Sequence, residues 1–124
     1  MNLLFVCGDG VNRSGTAQTL FNDPMRGFNA RCGGIDADAL WPLAAEDIDW
    51  ADVVMTMENW HLNFIRHRYS RHITLSKRLL CLEVPGPTIY MEPFLVNTLT
   101  DKVETYLAEL SGRRRVAMLD LRAS

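Results

Sequence analysis

The chain has 124 residues, the length of one domain that can bury a core without disulfide or metal staples. Its apolar fraction of 48% and charged fraction of 23% are typical of globular proteins and disfavour disorder or a coiled coil. A net charge of −2 argues against a nucleic-acid partner. No apolar run approaches the roughly 18 residues of a membrane helix, and 3–6 is too short for a signal peptide, so we expect a cytoplasmic protein without a membrane partner.

Apolar runs and helical patterns alternate along the chain. Leu3 to Val6 is typical of a strand buried on both faces. The pattern becomes helical at Arg13, and Asp23-Pro24 ends that helix. The following elements are, in order, a weak strand over 28–32 closed by Gly33-Gly34, a short helix over 43–50, a strand over 53–57, a helix over 58–69 and a strand over 78–82.

The C-terminal part begins with a loop, because Pro85-Gly86-Pro87 cannot form regular structure. Pro93 suits the first turn of a final helix, which Ser111-Gly112 is predicted to end. We therefore expect one domain over 1–110 and a tail over 111–124. The apolar residues of the tail suit either capping of a sheet edge or packing across a homodimer.

Alternating strands and helices predict an α/β fold: a single three-layer domain in which a four-stranded parallel sheet carries helices on both faces. In such a sheet the binding crevice lies at the carboxyl ends of the strands. The loops 7–14, 57–60 and 83–92 are expected to meet there.

The first of these loops has the composition of an oxyanion-binding loop. Its amide groups and the helix N-terminus after it favour an anion, and its glycines permit a tight curl. An arginine at its end can contact two phosphate oxygens, and a nearby hydroxyl can steady a thiolate nucleophile. The candidates are Cys7 as nucleophile, Arg13 and Ser14 as catalytic partners, and Gly8, Asp9, Gly10, Val11 and Asn12 as substrate-binding residues. The alternative is a buried thiol that merely ends a strand.

The run from Leu4 through Cys7 to Arg13-Ser14 resembles the low-molecular-weight protein tyrosine phosphatase superfamily. Trp50-Ala51-Asp52, Met57-Glu58 with His61, and Met91-Glu92-Pro93 resemble its short bacterial branch of predicted protein tyrosine phosphatases. The resemblance spans about residues 2–107. It implies a cysteinyl-phosphate intermediate, no cofactor, and phosphotyrosine protein, a small aryl phosphate or inorganic phosphate as ligands.

Two departures from the family bear on catalysis. Gly86 stands where the family has the aspartate that protonates the leaving group, a contribution typically worth about 10²–10⁴-fold. Glu92 is the preferred substitute, with Glu83 and the more distant His61 as alternatives. Gly10 stands where the family has an asparagine that holds the loop, a role that Asn12 can partly take over.

The carboxylate of Asp9 is unusual in an anion-binding loop. Side chains of such loops usually point outward, so we expect Asp9 to weaken anion attraction without blocking the site.

Several other residues are open to two interpretations. Tyr90, Trp41 and Trp60 suit either walls of an aryl-phosphate pocket or packing positions. Cys32 and Cys81 can form the disulfide relay of an arsenate reductase, although two buried structural cysteines are favoured. The basic stretch 66–78 suits an acidic or phosphorylated partner, nucleic acid or, more commonly, a solvated face. The histidines lack metal-ligand spacing, so no metal is expected.

The sequence therefore leaves three functions open. The first is a cysteine-dependent phosphomonoester hydrolase, slow because Gly86 supplies no acid. The second is a catalytically impaired module that binds phosphate or a phosphoprotein. Arsenate reduction is the third and is disfavoured by the cysteine positions.

Overall fold

The computed structural model describes the backbone of residues 1–123 and the side chains of residues 1–112. Four parallel strands form one sheet in the order β2-β1-β3-β4. The elements are β1 (Asn2–Cys7), α1 (Arg13–Phe21), β2 (Asn29–Gly34), α2 (Ala45–Trp50), β3 (Val53–Thr56), α3 (Asn59–Arg68), β4 (Arg78–Cys81) and α4 (Pro93–Ala123), with short 3₁₀ turns at 24–26 and 70–72. The predicted fold class is confirmed.

The central strand β1 is apolar on both faces because helices cover both sides of the sheet. Leu3 and Phe5 pack on one face with residues of α1 and α4, including Phe21 and Leu99. On the other face, Leu4 and Val6 pack with Ile48 of α2 and Ile65 of α3. Each fully buried side chain of this size stabilises the fold by about 1.5–3 kcal/mol. This three-layer packing fixes the end of β1, where the candidate loop begins.

The register brings the predicted loops together at one edge. Cys7, the last residue of β1, pairs with Gly34 of β2, and Val6 pairs with Thr56 at the end of β3. Thr56 in turn pairs with Cys81 at the end of β4. The segments that follow the four strands therefore leave the sheet at nearly the same level.

Three predicted boundaries are wrong. The helix predicted over 43–50 begins at Ala45. Gly33-Gly34 does not close β2 but forms its last two residues, which pair with Val6 and Cys7 of β1. Residue 34 must be glycine because a Cβ there would lie 2.6 Å from the Gly10 amide nitrogen. The final helix does not end at Ser111-Gly112; α4 continues to Ala123. A glycine inside a helix costs only about 1 kcal/mol, and arginine, which follows it, is a good helix former. The predicted packing roles of the tail lie outside the described side chains.

None of the helices in residues 1–123 is long and apolar enough to cross a membrane.

Candidate active site

The loop that joins β1 to α1, here called the Cys7 loop (residues 7–14), is held in shape by backbone hydrogen bonds. Its first carbonyls accept from the segment that follows β2, namely Cys7 from Ile35 at 3.1 Å, Gly8 from Asp36 at 2.9 Å and Asp9 from Leu40 at 3.1 Å. Since the carbonyl and the N–H of one planar peptide unit point in opposite directions, these contacts turn the following amides toward the interior of the loop. The curl thus presents donors suited to an oxyanion.

Gly10 is required by the shape of the Cys7 loop. Its φ is +75°, and a Cβ there would lie 2.8 Å from the Trp41 carbonyl oxygen and 2.9 Å from the Gly34 amide nitrogen. Backbone atoms cannot yield at such distances. The asparagine that the resemblance leads one to expect at this position therefore cannot fit in this chain.

Cys7 and Ser14 lie together at the base of the loop. The Cys7 side chain is buried, and its Sγ is 3.0 Å from the Ser14 Oγ, which is also buried. Ser14 lies in the first turn of α1, so the positive end of the helix faces the sulfur region. A hydroxyl at this distance can donate to a thiolate or accept from a thiol, as the prediction for Ser14 requires.

The Asp9 carboxylate points into the Cys7 loop, so the expectation that it faces outward is wrong. Its Oδ1 accepts from the Val11 amide at 2.8 Å and the Asn12 amide at 3.1 Å, and it accepts from the Cys7 Sγ at 3.2 Å. Its Oδ2 accepts from the Asn12 Nδ2 at 2.7 Å. The physical reason is that inward amides attract any nearby anion, including one carried by the loop itself.

These contacts also determine the charge of Asp9. Partial burial by itself raises the pKa of this carboxyl, but the amide hydrogen bonds from Val11 and Asn12 outweigh burial and lower the pKa below its usual value. Asp9 is consequently an anion at neutral pH. Asn12 also connects the loop to residue 90, because its Oδ1 accepts from the Tyr90 amide at 3.0 Å.

Arg13 is anchored through one of its terminal nitrogens. Its Nη1 donates to the Glu58 Oε2 at 2.8 Å and to the Val84 carbonyl oxygen at 2.7 Å. The side chain is only 12% exposed. The hydrogen bond from Arg13 lowers the pKa of the Glu58 carboxyl, which is therefore an anion and a poor proton donor at neutral pH.

Gly86 lies against the Arg13 guanidinium. A Cβ built on Gly86 would be 3.3 Å from Arg13 Cζ, 3.5 Å from Nη2 and 3.6 Å from Nε. These nearly equal distances put the Cβ position over the face of the guanidinium group. The position that lacks the expected aspartate is thus directly beside the proposed phosphate-binding arginine.

His61 is buried behind Glu58. Its Nδ1 accepts from the Glu58 amide at 3.0 Å, and its Nε2 lies 3.8 Å from the Glu58 Oε2. Burial lowers the pKa of the ring to about 4, so His61 is neutral at physiological pH and carries its proton on Nε2. His61 thus holds the Glu58 backbone, while its Nε2 has no hydrogen-bond partner among the described residues.

A cleft of about 470 Å³ lies beside the Cys7 loop. Trp41 and Tyr90 both line it, and the Tyr90 hydroxyl is 2.7 Å from the Thr19 Oγ1. The other lining residues are Gly10, Val11, Gly15, Gln18, Thr19, Arg31, Cys32 and Asp47. Trp60 is not among them; it packs edge-on against His61 instead. Two of the three candidate aromatic residues therefore flank the loop.

Neither of the two other cysteines is fully buried, contrary to the favoured interpretation. Cys32 lines the cleft, and Cys81 ends the edge strand β4, so both retain partial exposure. Burial, assisted by the nearby Cys7, raises the pKa of the Cys32 thiol to about 11. A thiol in that state is a weak nucleophile.

The two candidate acids lie on the rim segment (residues 83–92). The Tyr90 and Met91 amides bond to the Asn12 Oδ1 and the Thr16 Oγ1, which ties the segment just before Glu92 to the end of the Cys7 loop. Within the described part of the chain, no residue hydrogen-bonds to the Glu92 carboxylate. Glu83 lies on the other side, in a cleft that Glu58 also lines. Glu92 stays a prediction.

The basic stretch 66–78 is mostly exposed, and part of its charge is locally engaged. His72 Nδ1 is 2.8 Å from the Asp49 Oδ1, and Lys77 donates to the carbonyls of Asp49 and Ala51. Among the side chains described, no group of three potential ligands is placed to hold a metal ion.

Sequence reasoning assigned no role to Glu58 or to the segment 35–41. The register carries the missing signal for Glu58: a residue that follows β3 must lie beside a loop that follows the neighbouring β1. The supporting role of 35–41 has no comparable signal, because backbone amides of any sequence can donate to the loop carbonyls.

The fold matches solved phosphatase structures. YwlE arginine phosphatase from Geobacillus stearothermophilus matches with 21% identity and a TM-score of 0.60, over 96% of each chain. A YwlE C7S mutant with a phosphorylated active-site serine matches with 22% identity and a TM-score of 0.65, over 93% of this chain and 99% of the other. The tyrosine phosphatase Wzb from Escherichia coli K30, in complex with phosphate, matches with 15% identity and a TM-score of 0.65, over 88% and 97%.

These similarities define the class of fold: the chain has the fold of the low-molecular-weight protein tyrosine phosphatases. No protein-family model and no curated protein matches the sequence.

Proposed function

We propose that the protein is a cysteine-dependent phosphomonoester hydrolase of the protein tyrosine phosphatase type. The observation that carries the proposal is the arrangement at the end of β1. There the Cys7 Sγ lies 3.0 Å from the Ser14 Oγ, at the base of a loop whose amides face inward. The fold shared with cysteine phosphatases supports the same function.

The proposed reaction has two steps. The Cys7 thiolate attacks phosphorus, an S–P bond forms, and the bond from phosphorus to the ester oxygen breaks. Water then attacks the cysteinyl-phosphate, which releases inorganic phosphate and restores the thiolate. The inward amides of the Cys7 loop and the free Nη2 and Nε of Arg13 stabilise the charge on the phosphoryl oxygens, while Ser14 donates to the departing thiolate.

The departing ester oxygen needs a proton unless it leaves readily as an anion. Gly86 cannot supply that proton, and the ion pair with Arg13 keeps Glu58 ionised. We assign the donor to Glu92, since the segment immediately before it is bonded to the end of the Cys7 loop. Without an aspartate at position 86, turnover should be slow and should favour good leaving groups.

The proposed substrate is a phosphotyrosine protein or a small aryl phosphate. Trp41 is 60% exposed and Tyr90 45% exposed, and both flank the loop where an aromatic leaving group would lie. Apolar ring surfaces at such a site bind an aromatic group by burial and stacking.

A second candidate function has a specific observation in its favour. The Asp9 carboxylate occupies the inward amides, and Gly86 supplies no acid. Both features suit a protein that binds phosphate or a phosphoprotein and turns substrate over poorly.

The deciding experiment is steady-state hydrolysis of p-nitrophenyl phosphate between pH 5 and pH 8. This substrate has a leaving group that needs little protonation. We expect measurable turnover in the wild type, loss of it in Cys7→Ser, and retention in Cys81→Ser, which removes a thiol two strands away, at the end of the edge strand β4. No turnover in any of the three, with phosphate still bound by the wild type, supports the binding function instead.

A further inference from the structure

We propose that Asp9 is an internal competitor for the phosphoryl site, so that a substrate phosphate binds only by displacing the protein's own carboxylate. The inference rests on the proposed function, because it concerns how that same loop is regulated. In this proposal Asp9 opposes phosphate binding, whereas the other residues of the Cys7 loop favour it.

The hydrogen bonds of Asp9 match those an oxyanion needs. Its two oxygens receive four donors: two backbone amides, the Asn12 side-chain amide and the Cys7 sulfur. The Val11 and Asn12 amides belong to the loop, and a phosphoryl oxygen bound within its curl needs such donors. A phosphate that takes them must replace Oδ1, because both amides already donate to that one atom.

The contact with sulfur links this occupancy to the nucleophile. With Asp9 in the loop, the Cys7 Sγ lies 3.2 Å from Oδ1. The sulfur donates to the carboxylate in this arrangement, so a negatively charged oxygen lies next to the nucleophile and repels a phosphate that approaches it. When the carboxylate leaves, this contact is lost and the sulfur can approach phosphorus. Asp9 therefore restrains both binding and nucleophilic attack.

Asn12 is placed to transmit the change. Its Nδ2 donates to Asp9 and its Oδ1 accepts from the Tyr90 amide on the rim segment. Displacement of Asp9 removes one of these two contacts. Through Asn12, displacement of Asp9 can therefore affect the rim segment that carries Glu92.

A purely structural role for Asp9 makes the opposite prediction. If its carboxylate only ties the loop together, then its removal loosens the loop, weakens phosphate binding and lowers the unfolding temperature. If it competes, its removal strengthens phosphate binding. The sign of the change in affinity separates the two roles.

The test is calorimetric titration of the full chain with inorganic phosphate at pH 7, comparing the wild type with Asp9→Ala and Asp9→Asn. Loss of a charge-assisted hydrogen-bond set should tighten binding by about ten- to hundredfold in Asp9→Ala. Asp9→Asn keeps an acceptor oxygen without the charge and should fall between the wild type and Asp9→Ala.

Asp36→Ala is the matched control. The Asp36 carboxylate lies beside Gly8 of the same loop, 2.8 Å from where a Gly8 Cβ would be, and among the described residues it accepts from no amide of the loop. Its removal deletes the same charge nearby without freeing the inward amides, so affinity should rise by no more than about threefold at physiological salt. Equal gains in Asp36→Ala and Asp9→Ala would overturn the proposal, because simple charge removal would then explain both.

The remaining outcomes are also decisive. Unchanged or weaker phosphate binding in Asp9→Ala overturns the inference, and so does the absence of binding in every variant. Tighter binding in Asp9→Ala supports it even if no variant hydrolyses p-nitrophenyl phosphate. In that last case the hydrolase proposal fails while the competitor role of Asp9 stands.

Discussion

Glu58 and Arg13 form an ion pair that leaves the Nη2 and Nε of the guanidinium without a hydrogen bond among the described residues. Both contacts of Arg13, to Glu58 and to the Val84 carbonyl, use Nη1. The Nη2 and Nε atoms form the edge that can bind two phosphate oxygens at once. Glu58 therefore acts as a positioning residue: it fixes which edge of Arg13 is available.

Removal of this anchor should impair the reaction. We expect Glu58→Ala to lower kcat/KM for p-nitrophenyl phosphate by about tenfold or more, and Glu58→Gln to lower it less because the amide oxygen still accepts from Nη1. Glu104→Ala is the control, since it breaks the exposed Arg26–Glu104 ion pair far from the loop. Activity of Glu58→Ala within twofold of the wild type contradicts the positioning role.

A carboxyl group at position 86 should restore acid catalysis in part. We expect Gly86→Asp to raise kcat for phenyl phosphate, a poor leaving group, by about tenfold or more, and to change p-nitrophenyl phosphate turnover little. The gain should stay below the usual range, because a Cβ there approaches Arg13 Cζ to 3.3 Å and the new side chain must share space with the guanidinium.

Gly86→Asn controls for this crowding. It adds a side chain of the same size on the guanidinium face without a transferable proton, so it should raise neither rate. Equal rates for Gly86→Asp and Gly86→Asn would show that the added side chain, and not its acid, causes any change.

The role assigned to Glu92 predicts a dependence on the leaving group. Glu92→Gln should lower kcat by about tenfold or more for phenyl phosphate and by less than threefold for p-nitrophenyl phosphate, because only the first substrate needs a proton from the enzyme. Glu83→Gln, at the opposite end of the rim segment, should leave kcat unchanged for both substrates. If Glu83→Gln lowered kcat for phenyl phosphate and Glu92→Gln did not, Glu83 would be the proton donor.

Burial of His61 predicts a loss of stability in mild acid. The folded pKa is about 4 and the unfolded value is near 6.5, so the unfolded chain binds more protons between these values. The free energy of unfolding should therefore fall as the pH decreases from 6.5 to 4, by about 3 kcal/mol from this group. Urea denaturation at several pH values measures it.

His61→Asn isolates that contribution. The amide oxygen can still accept from the Glu58 amide but does not titrate, so the variant should lose most of the decline between pH 6.5 and pH 4. His67→Asn, at an exposed position of α3, should keep the wild-type slope. The same slope in His61→Asn as in the wild type would mean that other groups cause the decline.

The raised pKa of Cys32 predicts slow alkylation. With a pKa of about 11, only about one thiol in a thousand is ionised at pH 8, compared with about a quarter of unperturbed thiols. Iodoacetamide at pH 8, followed by peptide mass spectrometry, should label Cys32 far more slowly than an unfolded control. Rapid labelling would contradict the raised pKa and would favour a redox role for Cys32.

The sequence predicted the sheet and its loops well because those features follow from local patterns. The apolar run 3–6 and the helical spacing after Arg13 specify both flanks of the Cys7 loop. The direction of Asp9 was predicted wrongly, because it depends on how the Val11 and Asn12 amides and the Cys7 sulfur surround the carboxylate in the folded loop. The anchoring of Arg13 on Glu58 depends on strand register, which a single sequence specifies only indirectly.

The backbone bonds that shape the Cys7 loop have an evolutionary consequence. The carbonyls of residues 7–9 are held by amides, which every residue except proline possesses, so the curl survives most changes of side chain in either segment. Gly10 and Gly34 are the exceptions, since no Cβ fits at either position. Position 9 can therefore change during evolution while the backbone of the loop stays the same. One substitution there can alter the affinity of the loop for an anion.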